Sequence, residues 1–129
     1  MPRELVNPTD LHPAPGFSHI AVATGSRFVF FAGQVALDKD FNIVGEADLG
    51  RQTVAAMQNL AVALRESGVG WDDIVRRTVY TTMPTEFEII TRGIDEVTGG
   101  AGHPAQTIIG VTGLAVPGLL IEIEATASV

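Results

Sequence analysis

Four short segments carry the residues with which this chain could do chemistry. In the closing apolar stretch Leu119–Ala127, Glu122 and Glu124 alternate with Ile121, Ile123 and Ala125. On a strand, that spacing puts the carboxylates on one face and the aliphatic side chains on the other. A carboxylate held there can act as a general base towards water, although the same alternation also suits a solvated sheet face. The second segment is His103-Pro104-Ala105-Gln106-Thr107. Pro104 stiffens it and pushes His103 towards extended geometry. Gln106, at the mouth of the strand that follows, either meets a ligand or is a surface amide. Third, Gly33-Gln34 closes a β-rich run, where glycine permits a bulge, a close backbone approach or a turn. Fourth, Pro15-Gly16-Phe17-Ser18-His19 presents an aromatic ring from a glycine turn, as a pocket wall or as ordinary core.

What is missing narrows the chemistry. The 129 residues include no cysteine, which removes disulfides, thiolate nucleophiles and thiolate metal sites. His12, His19 and His103 are scattered, with no two at metal-ligand spacing on one helix, so no metal site is expected. Nor is there a P-loop, a dinucleotide-binding glycine pattern or a nucleophile elbow. Eight Lys and Arg against 15 Asp and Glu leave a net charge of −7, which repels phosphate backbones and argues against nucleic-acid binding. The amino terminus has no signal-peptide core, and no run approaches the roughly 18 apolar residues of a membrane span. The expectation is a cytoplasmic protein without membrane contact.

The elements that must hold these residues follow from periodicity. Residues 7–16 hold three prolines and a glycine and read as an irregular lead-in. Ser18–Ala23 and Phe28–Ala32 flank Thr24-Gly25-Ser26-Arg27 and read as a β-hairpin. Val35–Leu37 could extend its second strand, before a turn at Asp38-Lys39-Asp40. Residues 48–67 form the clearest helix: Leu49, Val54, Met57, Leu60, Ala61 and Leu64 make one apolar stripe, with Asp48 as N-cap and Gly68 at the left-handed C′ position. Ile74–Thr82 suits a strand, and Phe87, Ile90, Ile94 and Val97 a second helix ended by Gly99-Gly100. Thr107–Val111 and Leu119–Ala127 complete the order β-β-α-β-α-β-β. This is an α+β pattern in one domain, residues 1–129, with two helices on one face of a mixed sheet. A hydrophobic content of 46% is high for so small a chain, so partner copies are expected to cover the other face.

Taken in order, these segments resemble the Rid (reactive-intermediate deaminase, YjgF-type) family, whose members have also been called liver perchloric-acid-soluble protein and translation-inhibitor endoribonuclease. The marks are Pro15–His19, Phe31-Ala32-Gly33-Gln34, the helix Gln52–Ser67, Asp73–Tyr80, His103–Thr107 and Pro117–Ala125, together spanning about residue 7 to the end. Most specific are the closing Ile121-Glu122-Ile123-Glu124-Ala125 and the upstream His103-Pro104-Ala105-x-Thr107. The resemblance implies a chorismate-mutase-like fold and a homotrimer holding a small-molecule ligand at each subunit interface. It also implies hydrolysis of enamines or imines to a keto acid and ammonia, with no cofactor and no metal.

Residue by residue, the resemblance makes Glu122 the carboxylate that positions the attacking water and Gly33 the pocket-floor glycine. Phe17 stands where a tyrosine is usual, keeping the wall without the hydroxyl. Thr91 aligns with an asparagine common on the second helix. Gln106 stands where the family's deaminases carry the arginine that holds the substrate carboxylate. Arginine grips a carboxylate with a charged planar fork, whereas glutamine offers one neutral amide. Loss of that charge corresponds to about 2–4 kcal/mol for an anionic substrate, or roughly two to three decades in efficiency. The sequence therefore points to hydrolysis of an imine, enamine or related C–N bond on a substrate other than the usual amino-acid-derived imines. A non-catalytic metabolite-binding or regulatory trimer is the alternative. Endoribonuclease activity is the weakest reading, because an acidic chain without a catalytic histidine pair is poorly made for RNA cleavage.

Overall fold

The computed structural model describes residues 3–129, in which strands and helices alternate irregularly. In chain order they are β1 (Glu4–Val6), β2 (Ile20–Val22), β3 (Phe28–Val35), α1 (Leu49–Ser67), β4 (Ile74–Thr81), α2 (Phe87–Thr98), β5 (Ala105–Gly110) and β6 (Ile121–Ser128). A single 3-10 turn, Trp71–Asp73, leads into β4. The main sheet has the strand order β3-β6-β4-β5 and is mixed: β6 runs antiparallel to both neighbours, while β4 and β5 are parallel. The α+β architecture with two helices is the one expected from the sequence.

The helix ends are set by local chemistry. The Asp48 side chain accepts a hydrogen bond from the Arg51 N–H at 3.0 Å, satisfying one of the donors a helix leaves free at its start. Gly68 ends α1 with φ 72°, a conformation that glycine takes without steric cost. The apolar stripe of α1 packs Met57, Leu60 and Leu64 onto the sheet, and Ile90 and Ile94 of α2 close the same core. From β6 the core receives Ile121, Ile123, Ala125 and Ala127, and from β4 Val79.

The period-2 rule then assigns the faces. Ile121 and Ile123 are fully buried under the helices, while Glu122 and Glu124 stand half-buried on the opposite, uncovered face. Phe30, paired with Thr126, is 77% exposed on that face, and Phe28 beside it is 61% exposed. Gln52, buried on α1, pins the connection into β6: its Nε2 donates to the Gly45 and Gly118 carbonyls at 3.1 Å, and its Oε1 accepts from the Leu120 N–H at 2.8 Å.

One expected pairing does not form. Ser18–Ala23 and Phe28–Ala32 make no hairpin; β2 pairs with β1, and β3 pairs with β6. The reason is competition for the edge of β3. β6 pairs with it at six positions, and the intervening loop is tied to the carboxyl end of the chain by Ser26 and Arg27 N–H bonds to the Val129 carbonyl. A short local strand cannot match that partner. The ladder also shifts register between Phe31 and Gln34, which places a bulge at Gly33.

Candidate functional site

Three of the five residues singled out from the sequence line one groove of about 530 Å³: Phe17, Thr91 and Gln106. Its other walls are His12, Pro13, Pro15, Pro84, Phe87 and Ile108. The size is that of a small-molecule pocket, and the lining is mainly apolar with a few polar groups, the usual balance for such a site. The lead-in loop reaches the groove because Ser18 docks beside the start of β5: its N–H donates to the Pro104 carbonyl at 3.0 Å and its hydroxyl to the His103 carbonyl at 2.7 Å. Gly16, at φ 79°, turns the chain flush against α2, where an added Cβ would lie 2.3 Å from the Thr91 hydroxyl. His19 meets His12 and Phe17 edge to face, with ring centroids 4.7 and 5.2 Å away, and His12 lies tilted to Phe17 at 6.2 Å.

Gly33 and Glu122 form a second group. The Glu122 side chain lies across Gly33 so closely that a Cβ there would meet its Oε2 at 2.0 Å. No other residue type leaves room for the carboxylate in this position. Tyr80 donates to Glu124 Oε2 at 3.1 Å, which raises the tyrosine pKa and occupies Glu124. Among the described residues no side-chain hydrogen bond engages Glu122, whereas Glu124 is held by Tyr80.

The two groups do not meet within one chain. Glu122 is in register with Tyr80, and Gln106 with Arg77, three residues along β4. An odd separation puts them on opposite faces of the sheet, and two strand spacings plus three residues of rise separate their backbones by roughly 14 Å.

Sequence reasoning missed the residue that most changes the electrostatics. Arg77 is 4% exposed, and its Nε–H donates to Gln106 Oε1 at 2.5 Å. Its Nη2 donates to His103 Nδ1 at 3.0 Å and to the Gly16 carbonyl at 3.3 Å. The positive charge absent from position 106 is therefore present on the neighbouring strand, behind Gln106. Burial is the main cause that lowers the Arg77 pKa to about 10, followed by the positive charge of Arg3 and opposed by Asp95. At neutral pH it is still a cation.

A signal for Arg77 exists in the sequence but is masked. Counting inward positions from the buried Ile74 makes Arg76 and Thr78 face the core. A register shift between Ile74 and Arg76 reverses that parity and turns Arg77, Val79 and Thr81 inward instead.

His103 continues the chain of contacts, since its Nε2 lies 3.0 Å from Asp95 Oδ1 on α2. With Nδ1 accepting from Arg77, Nε2 carries the proton and donates to Asp95. Burial, then the Arg77 charge, hold the His103 pKa below its usual 6.5, partly countered by Asp95. A histidine with a lowered folded pKa binds fewer protons folded than unfolded, so its contribution is intact above about pH 6.5 and is lost as pH falls below it. Urea unfolding should therefore show stability declining from pH 7.5 to 5.5, and His103→Gln should flatten that decline. A wild-type profile as flat as that of the variant would remove His103 from this role.

The Endoribonuclease L-PSP family model matches residues 8–129. A RutC family protein of Synechocystis sp. is 30% identical over 116 residues, covering 89% of this chain and 88% of that protein. The RutC family protein YjgH of Escherichia coli is 33% identical over 110 residues, 84% of this chain and 80% of its own length. Among solved structures, YyfB from Yersinia pestis, described as a Rid-family protein of unknown function, is 38% identical with a TM-score of 0.92, covering all of both chains.

Proposed function

The chain belongs to the Endoribonuclease L-PSP family, the Rid/YjgF group, and from that premise we propose that it hydrolyses an imine, enamine or related C–N bond on a substrate other than the usual amino-acid-derived imines. The single observation that carries the reading is the groove itself. It has apolar walls, Gln106 as a hydrogen-bonding wall residue and no lysine or arginine among the described residues that line it, Arg77 being set behind it. Such a site suits an apolar substrate better than a bare carboxylate, which arginine would hold through two charge-assisted bonds.

In this reading the active assembly is a homotrimer of chorismate-mutase-like subunits. The uncovered sheet face, with Phe28 and Phe30 exposed, supports burial against other copies. Glu122 of one copy would then face the Gln106 groove of its neighbour. Glu122 takes a proton from water as the water oxygen bonds to the C=N carbon, and the nitrogen is protonated. The resulting carbinolamine loses ammonia as its C–N bond breaks and the carbonyl forms. Gln106 orients the substrate from the opposite wall. The reading needs no cofactor or metal, and the acidic surface supports a small-molecule substrate over RNA.

The test is hydrolysis of imines generated by an amine or amino-acid oxidase, followed as suppression of semicarbazone formation. Imines of apolar amines should be hydrolysed faster than the α-carboxylated imine with the same side chain. A protein that accelerates none of them is instead the non-catalytic metabolite-binding trimer. A preference for the carboxylated imine overturns the substrate assignment.

A further inference from the structure

Gln106 is held in one orientation. The Arg77 Nε–H is a donor only, so the atom of the Gln106 amide that faces it is the oxygen, and the NH2 group is turned away. That nitrogen donates to no described residue and is not among the buried polar atoms left without a partner, so it opens on the groove that Gln106 lines. Behind it stands a guanidinium that is almost fully buried and has no carboxylate within ion-pair reach among the described residues, its only link to an acid running through His103 to Asp95. An unpaired buried cation is costly unless something offsets it. Arg77 itself is absent from the groove wall, so it acts through Gln106.

We propose that Arg77 is a positioning residue that fixes and polarises the Gln106 amide, so that the groove selects ligands presenting a hydrogen-bond acceptor oxygen on an apolar body. The inference rests on this groove being the ligand site and deepens the substrate assignment above. A hydrogen bond to a cation draws electron density from the amide oxygen and strengthens the N–H donors at its other end. Phe17, Phe87 and Ile108 supply the apolar walls. A ligand with a cationic donor at this position would meet N–H groups and a positive field, and is rejected.

Three probes of equal length isolate the end group: phenylacetamide, a neutral acceptor; phenylacetate, an anionic acceptor; and 2-phenylethylamine, a cationic donor. The full chain, in whatever assembly it forms, is titrated with each by NMR while the Gln106 side-chain amide resonances are followed. The first two should bind and shift those resonances, and the amine should bind at least tenfold more weakly. Phenylacetamide should bind at least as tightly as phenylacetate; a clear preference for the carboxylate would overturn the substrate assignment above. Arg77→Met should lower affinity for both acceptors by about tenfold while leaving the amine unchanged or tighter, a change in selectivity that a merely structural role would not produce. Should that variant not fold, Gln106→Met removes the donor at the groove wall and must erase the same preference. The proposal is overturned if the amine binds as well as the acceptors, if none of the three binds, or if the folded variants keep the wild-type order. Failure of imine hydrolysis with this selectivity intact would sink the proposed reaction and leave the recognition element standing.

Discussion

Glu122→Gln should lower turnover of any imine this protein hydrolyses by about 100- to 10,000-fold, the usual contribution of a positioned general base. The amide keeps the side chain's size and its place over Gly33 but cannot accept a proton from water. Because the side chain stays close in shape, KM should change little and the loss should appear in kcat. Glu124→Gln is the control: that carboxylate accepts from the Tyr80 hydroxyl, so its loss should affect activity weakly. Steady-state kinetics on both variants decide the assignment. Equal losses would mean that the carboxylates act together, and an unaffected Glu122→Gln would take Glu122 out of the mechanism.

The second large effect concerns stability. Gln106→Arg, which restores the arginine of the family's deaminases, should destabilise the protein. It removes the oxygen that accepts from Arg77 Nε and sets two guanidinium groups against each other on neighbouring strands. A buried donor left unpaired costs about 1–3 kcal/mol, and like charges at this distance add to it, so Tm should fall by roughly 4–10 °C for a chain of this size. Arg77→Gln introduced with Gln106→Arg should recover most of the loss. Thermal unfolding of the single and double variants at one protein concentration reads this directly. A single variant as stable as wild type would show that Arg77 does not depend on Gln106.

The two positions thus behave as a pair, and only one of them was legible in the sequence. Gln106 stood out because it departs from a motif whose neighbours are intact. Arg77 did not, because its inward direction depends on a register shift just upstream in β4 that no local pattern announces. Much of the fold was readable where periodicity is strong. Both helices, Asp48 and Gly68 as caps of α1, and the alternating faces of β6 follow from spacing and capping chemistry. The expected hairpin does not form because the β3 edge has two possible partners, and the one that wins lies at the far end of the chain. Phe17, Thr91 and Gln106 converge on one groove although 89 residues separate the first from the last, since Ser18 bridges to the start of β5. Gly33 and Glu122 converge elsewhere, on the other face of the sheet.

That division makes mixed assemblies the most direct test of whether one site is built from the Gln106 groove of one copy and Glu122 of another. Glu122→Gln keeps the groove and lacks the base, while Gln106→Leu keeps the base and lacks the groove donor. Unfolded together and refolded at equal concentrations, these two impaired variants should regain about a quarter of wild-type turnover of an apolar imine, because each half-site is intact in one copy out of two. A mixture no more active than its separate components, with mixed assemblies verified by mass spectrometry, would contradict a shared site.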